Sequence, residues 1–438
     1  PPIYPILLAI FSCPFRVDPL YVTSLLNALL FAIIIILGGM MLYRSVGDNR
    51  IISIFGIVYL ITAIPLIKIS FMAWSEPLFV VFVLFFLNLC DKFRLKRNNK
   101  TVLLLALFSA LASMTRYIGI VLVPCGIAII LVFSKDAWLK RIWKCAMFSV
   151  LSSLPLFIWV IRNYSISGTP FGPRMPSVYS LTQNCEYFIN TFLSWHLSTS
   201  FLVSTPPLFL ISIFLGCIIG FGIRDKSRDF KNAILQSSPL ILFLIFYSFM
   251  LILSSTTTAY DKINTRLMSP IFIPLFILTL KLFYSSAKSI LKKARLGKYS
   301  NHIVVLALFL WILYFSGIDS TILYIDRAFN EGLGYSHNSW KNSELIAETQ
   351  KIVLLNPELN IYSNSPEALY IIGGIDAKQS LLREEKNSEN RFLNEPSILI
   401  WFGKANRNYL LSPNELDKMT DFCLLSQLSD GDIYSIAN

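Results

Sequence analysis

Ten apolar segments follow one another between residues 22 and 324, and Lys and Arg gather in every second connection between them. A helix crossing the hydrocarbon core of a bilayer needs about 20 apolar residues. The segments lie near 22–43, 51–71, 75–90, 102–116, 117–133, 142–161, 207–223, 233–254, 267–284 and 303–324. The connections around Tyr43, Cys90, Phe133, Ile223 and Tyr284, counted with Lys281 and Lys144 at the adjoining span ends, hold 21 basic residues, and the intervening ones hold seven: Arg16, Lys68, Arg116, Arg162, Arg174, Lys262 and Arg266. Basic loops stay cytoplasmic, so the 21 are expected inside and the seven outside. The chain reads as an α-helical polytopic membrane protein with its chemistry on the outer face.

Composition agrees with a membrane bundle: 55% of the 438 residues are hydrophobic and 15% charged. The net charge of +12 divides into +18 before Asp326 and −6 from Asp326 onward. The positive part lies in short inner loops, which fits topology and contact with anionic lipid. It does not interleave with exposed aromatics, so a nucleic-acid partner is not expected. The seven cysteines form no C-x-x-C pair and the three histidines are far apart, so no metal site is encoded by spacing. A divalent cation is the only cofactor left open.

After Tyr324 the pattern changes. Residues 339–355 read as a helix with Ser339 as N-cap, stopped by Asn356-Pro357. Residues 360–363 and 397–402 are short strand-like runs, Ser412-Pro413-Asn414-Glu415 opens a helix, and 431–436 reads as a closing strand. The expected division is a membrane domain over 1–325 and a small α/β extracytoplasmic domain over 326–438. Residues 1–14 read as an external surface helix or loop, and 187–197 as an interfacial helix.

Few polar residues fall at the outer ends of the spans. Glu76, in Trp74-Ser75-Glu76-Pro77, opens a very apolar segment, where a helix dipole favours an anion. It reads equally as a capping carboxylate or as an acid that orients or deprotonates an acceptor. Arg116, Arg162 and Arg266 each stand where a span meets the outer surface, as snorkelling anchors or together as an anion site. Asp261 and Lys262 flank the turn before Arg266, Tyr117 follows Arg116, and Asn163 follows Arg162.

In this order the motifs resemble the GT-C superfamily of glycosyltransferases. The likeness is to the family 39 type, which includes protein O-mannosyltransferases and the bacterial aminoarabinose transferase acting on lipid A. Pro1-Pro2-Ile3-Tyr4-Pro5 resembles the His-Pro-Pro-Leu-Tyr-Pro stretch that ends their first outer loop. Ser75-Glu76-Pro77-Leu78-Phe79 resembles the acid-bearing entry to a middle span, and Thr115-Arg116-Tyr117-Ile118-Gly119 a Thr-Arg/Lys-x-x-Gly corner. Arg162-Asn163-Tyr164 with Gly168-Thr169-Pro170 resembles a later outer loop, and Asp261 to Pro270, with Arg266, another span entry.

The resemblance implies inverting transfer of a sugar from a polyprenyl-phosphate donor to a lipid, glycan or protein acceptor at the outer face of a bacterial inner membrane. It implies Glu76 as the catalytic carboxylate, and Arg116, Tyr117, Arg162, Asn163, Asp261, Lys262 and Arg266 as substrate-binding residues. The family's principal acid, an Asp of the first outer loop, would precede Pro1 together with one further span, making eleven in the intact protein. A polysaccharide polymerase or ligase, a transporter and a non-catalytic membrane protein are the alternatives.

Overall fold

The computed structural model describes residues 1–46, 49–172, 174–195, 234–259, 261–293, 299, 302–306, 309, 318–383, 397–405, 407, 409–418 and 422–436. The chain divides into two compact units, Pro1–Leu323 and Tyr324–Asn438, two residues before the division the sequence pattern suggests between 325 and 326.

The first unit is helical: α1 Ile3–Ser12, α2 Pro19–Ser45, α3 Arg50–Thr62, α4 Ile64–Ser70, α5 Glu76–Lys96, α6 Asn99–Thr115, α7 Leu122–Phe133, α8 Trp138–Ser167, α9 Leu181–Ser194, α10 Ser238–Thr257 and α11 Thr265–Lys293. Helix α12, Ile318–Asn330, carries the chain into the second unit. Local side-chain caps set several of the starts. Asp18, Asn49 and Asn98 accept hydrogen bonds from the backbone N–H groups of Leu20, Ile52 and Thr101. Ser180 and Gln183 form a reciprocal capping box on α9.

Among the described residues, four helices are long and apolar enough to cross a membrane: Pro19–Ser45, Trp138–Ser167, Ser238–Thr257 and Thr265–Ser285. The pair α3 and α4 makes a fifth if counted as one span; it bends by 46° at Ala63, just before Pro65. The expected ten are therefore not all found, for identifiable reasons. The segment 207–223 and much of 303–324 lie outside the described residues. Segment 75–90 sits within α5, which carries Glu76 at one end and Asp91, Lys92, Arg94 and Lys96 at the other. Segments 102–116 and 117–133 form helices of 17 residues or fewer.

Two basic side chains close the end of α7. Arg97, itself in the left-handed conformation at φ 51°, donates from Nε to the Phe133 carbonyl at 2.8 Å. Arg141 donates to the Leu131 carbonyl at 3.1 Å. Both satisfy carbonyls that the end of α7 leaves without helical partners. Lys144 and the Ser134 hydroxyl hold the Asp136 carboxyl below the usual carboxylate range.

The core of this unit runs along α5, from Leu78 through Phe86 to Phe93, packed on α2 and α6, with Phe243 and Tyr247 of α10 and Phe272 and Phe276 of α11. Gly119 sits where the 3-10 turn Tyr117–Val121 folds back under α6; a Cβ there would stand 2.5 Å from the Ala112 carbonyl carbon and the Ser113 nitrogen.

The second unit is a five-stranded sheet with order β2-β1-β3-β5-β4. Its strands are β1 Asn360–Ser363, β2 Lys378–Gln379, β3 Ser397–Phe402, β4 Phe422–Leu428 and β5 Gly431–Ile436. The first three pair in parallel and the last two add antiparallel. Helices α13 Asn338–Lys341, α14 Glu344–Leu355, α15 Pro366–Gly373 and α16 Pro413–Leu416 complete it. The single helix expected over 339–355 is broken. Ser343 is the N-cap of α14, accepting from Ile346 N–H at 3.2 Å, and its hydroxyl is held by Asp430, so the chain turns there instead of continuing. Asn364, fully buried after β1, donates to the Phe402 and Ala405 carbonyls at 2.9 and 3.0 Å and accepts from Phe402 N–H at 2.9 Å. That side chain fixes the end of β3.

Candidate functional site

Three sequence-selected residues converge. Glu76 opens α5 and is 1% exposed. Its Oε1 accepts from Arg266 Nε at 2.6 Å and from an Arg116 guanidinium nitrogen. Arg116 also reaches the Ser75 hydroxyl at 3.5 Å. Among the described residues, no hydrogen-bond partner reaches the buried Glu76 Oε2. One carboxylate thus holds two guanidiniums, 19% and 34% exposed, and the cluster carries a net charge of +1.

Local structure aims each group. Helix α6 ends at Thr115, and Arg116 turns to an extended backbone (φ −147°, ψ 132°), which throws its side chain back toward the start of α5. Gly119 N–H donates to the Arg116 carbonyl at 2.8 Å and locks that corner. Arg266 stands in the first turn of α11, after Asn264 caps Leu267 N–H at 3.2 Å. Its guanidinium lies 4.6 Å from the centre of the Trp74 ring, a cation–π contact.

The other expected residues divide. Asp261 is 4.0 Å from Arg266 and 78% exposed, so it adds little to the cluster. Asn163 donates to the Tyr117 hydroxyl at 3.3 Å, forming a second pair with Phe171 edge-on to the Tyr117 ring and Arg174 over both rings. Arg162 is exposed and lies 4.8 Å over Trp159 of its own helix. Lys262 sits over the rings of Tyr179 and Tyr187, at 5.9 and 5.4 Å. Neither Arg162 nor Lys262 pairs with Glu76, because an aromatic face lies nearer to each.

Of the residues that position these groups, Asn27 and Tyr247 carried no sequence signal, and Tyr4 showed only as part of the Pro1-Pro2-Ile3-Tyr4-Pro5 stretch. Asn27 of α2 donates to the Met72 carbonyl at 2.6 Å and steadies the loop that leads to Glu76. Tyr247 of α10 donates to the Leu267 carbonyl at 2.7 Å and ties down the first turn of α11. Tyr4 of α1 is buried beside Thr23 and Asn27; burial pushes its phenol up, and the charge of Glu76 adds to that. Each is an ordinary helix residue until the helices meet. Among the described residues, no three His, Cys, Asp or Glu side chains gather in a metal-binding group.

No protein-family model, no curated protein and no solved structure matches the chain.

Proposed function

We propose that the chain is a membrane glycosyltransferase that moves a sugar from a polyprenyl-phosphate donor to an acceptor hydroxyl, with inversion. One observation carries the reading: Arg116 and Arg266, from different helices, converge on the buried Glu76 where apolar helices begin and end. Guanidinium groups match phosphate oxygens with paired hydrogen bonds, and a carboxylate that binds both holds them aligned before a substrate arrives.

In the proposed step the acceptor oxygen attacks the anomeric carbon, and the bond from that carbon to the phosphate oxygen breaks. The polyprenyl phosphate departs with the electron pair. Arg116 and Arg266 stabilise the developing charge on the leaving phosphate. Oε2 of Glu76 is the lone-pair site left for the acceptor's proton. Tyr117, directly after Arg116 in the chain, and its partner Asn163 supply neutral hydrogen bonds to the sugar. The ten-span topology, the bacterial inner membrane and the extracytoplasmic placement of the second unit belong to the same proposal. The alternation of basic and non-basic loops supports them.

The test is binding of undecaprenyl phosphate to the full chain in lipid nanodiscs. Binding that weakens at least tenfold in both Arg116→Gln and Arg266→Gln, and not in Arg162→Gln, supports the site. Equal binding by all three variants removes it.

A further inference from the structure

A second charged cluster lies at the other end of the helices that carry the first. From Glu76 to Asp91 along α5, and from Arg266 to Lys281 along α11, the helical rise is about 22 Å. At that end a cavity of about 660 Å³ opens between α2, α5, α10 and α11. Arg44, Lys92, Arg94 and Lys281 line it, with Asp91 as the only acid among the described lining residues. Asp91 is 3.7 Å from Arg94, and Arg44 donates to the Asn88 amide oxygen at 3.2 Å. Among the described lining residues, four cations against one carboxylate leave a charge of +3 in a half-open recess.

Apolar side chains, among them Leu37, Met40, Met41, Phe85 and Leu240, share the lining with the polar Ser45, Asn88 and Gln236. Met40 is 44% exposed, and Ile36, one helical turn away on the same face of α2, is 60% exposed. The apolar part of the lining therefore continues out of the cavity along the helix. A strongly cationic recess beside an open apolar strip matches a molecule with a phosphate at one end and a hydrocarbon tail at the other.

The geometry points to a binding site for the phosphate of an anionic lipid at this end of the bundle, in the leaflet on the side of the basic loops. Arg44 and Lys281 grip the phosphate from two different helices, Lys92 and Arg94 add charge from a third, and the tail lies along Met40 and Ile36. Charge alone would spread lipid over all the basic loops; the recess, with cations from three helices around it, is what localises it to this position. The site is independent of the Glu76 cluster, and its variants leave that cluster unchanged.

The experiment is native mass spectrometry of the full chain in detergent, titrated with dioleoyl phosphatidylglycerol or dioleoyl phosphatidylcholine. Inorganic phosphate is added as a competitor in a separate arm. The expected result is one phosphatidylglycerol held in preference to phosphatidylcholine and weakened about tenfold or more in Arg44→Gln/Lys281→Gln. Lys100→Gln/Lys140→Gln removes the same charge from exposed positions outside the cavity and is expected to change binding less than about twofold. Persistence of the bound lipid in excess phosphate identifies a lipid as the source; displacement by phosphate, lost in the cavity variant, identifies free phosphate at the same site. Equal losses in both double variants, or no preference for phosphatidylglycerol, overturn the proposal. Arg44→Gln and Lys92→Gln alter exposed side chains singly and give the same comparison should the double variant fail to fold.

Discussion

Replacing Glu76 by Gln keeps the volume and one acceptor oxygen but removes the charge that both guanidiniums share. Breaking a fully buried ion pair by deleting one partner costs about 3–5 kcal/mol, whereas an exposed pair is worth about 0.2–1 kcal/mol. Glu76 is 1% exposed, but Arg116 and Arg266 are 19% and 34% exposed, so water screens the two cations that remain. The expected loss is therefore about 2–3 kcal/mol. The assay is unfolding of the full chain by dodecyl sulfate in mixed micelles, run as a double-mutant cycle with Arg266→Gln. Once Glu76 is gone, removing Arg266 relieves a cation–cation contact, so the double variant should be less destabilised than the sum of the singles by about 1 kcal/mol or more. A loss below about 0.5 kcal/mol for Glu76→Gln, or strict additivity in the cycle, would refute the claim that this carboxylate organises the two arginines.

Gly119→Ala drives a methyl into the backbone of Ala112 and Ser113; it should destabilise by about 1–3 kcal/mol and weaken undecaprenyl phosphate binding by displacing Arg116. Retention of both properties would show that the corner relaxes freely. Trp74→Ala should lose about 0.5–2 kcal/mol of stabilisation of Arg266, and Trp74→Phe should recover part of it; identical behaviour of the two would remove the cation–π contact. Asn364→Ala strands three backbone groups and should cost about 2–4 kcal/mol, read as faster hydrogen exchange in β3. In the same unit, hydrogen bonds from Ser412 and Arg383 hold the Glu415 carboxyl down at about 2, against an ordinary 4.5. Its contribution is present above pH 4.5 and lost as pH falls from there toward 2. Hydrogen exchange at residues 410–416 should therefore speed up across that window, less so in Glu415→Gln; an equal acceleration in that variant would contradict the assignment.

How much was legible varies with the range of the forces involved. The strands at 360–363, 397–402 and 431–436 are short β-branched or aromatic runs between turn residues, and they form where the pattern places them. The helix Pro413–Leu416 follows from its own capping box. Strand β4, Phe422–Leu428, has no alternation strong enough to show alone; it exists because β5 pairs with it. The break before Ser343 depends on Asp430, which is 87 residues away in sequence.

The sequence by itself determined the apolar helices, the corner at Arg116 and the carboxylate at the start of α5, because these follow from hydrophobic period, helix stops and caps within a few residues. Only the tertiary structure decided which charges meet. Arg266 reaches Glu76 across 190 residues, while Arg162 and Lys262, equally plausible from their positions, settle over aromatic rings. The packing that brings Arg266 to the start of α5 also brings Lys281 to its far end, beside Arg44 and Asp91. A charge's partner is set by distance and burial, and neither exists until the helices are side by side.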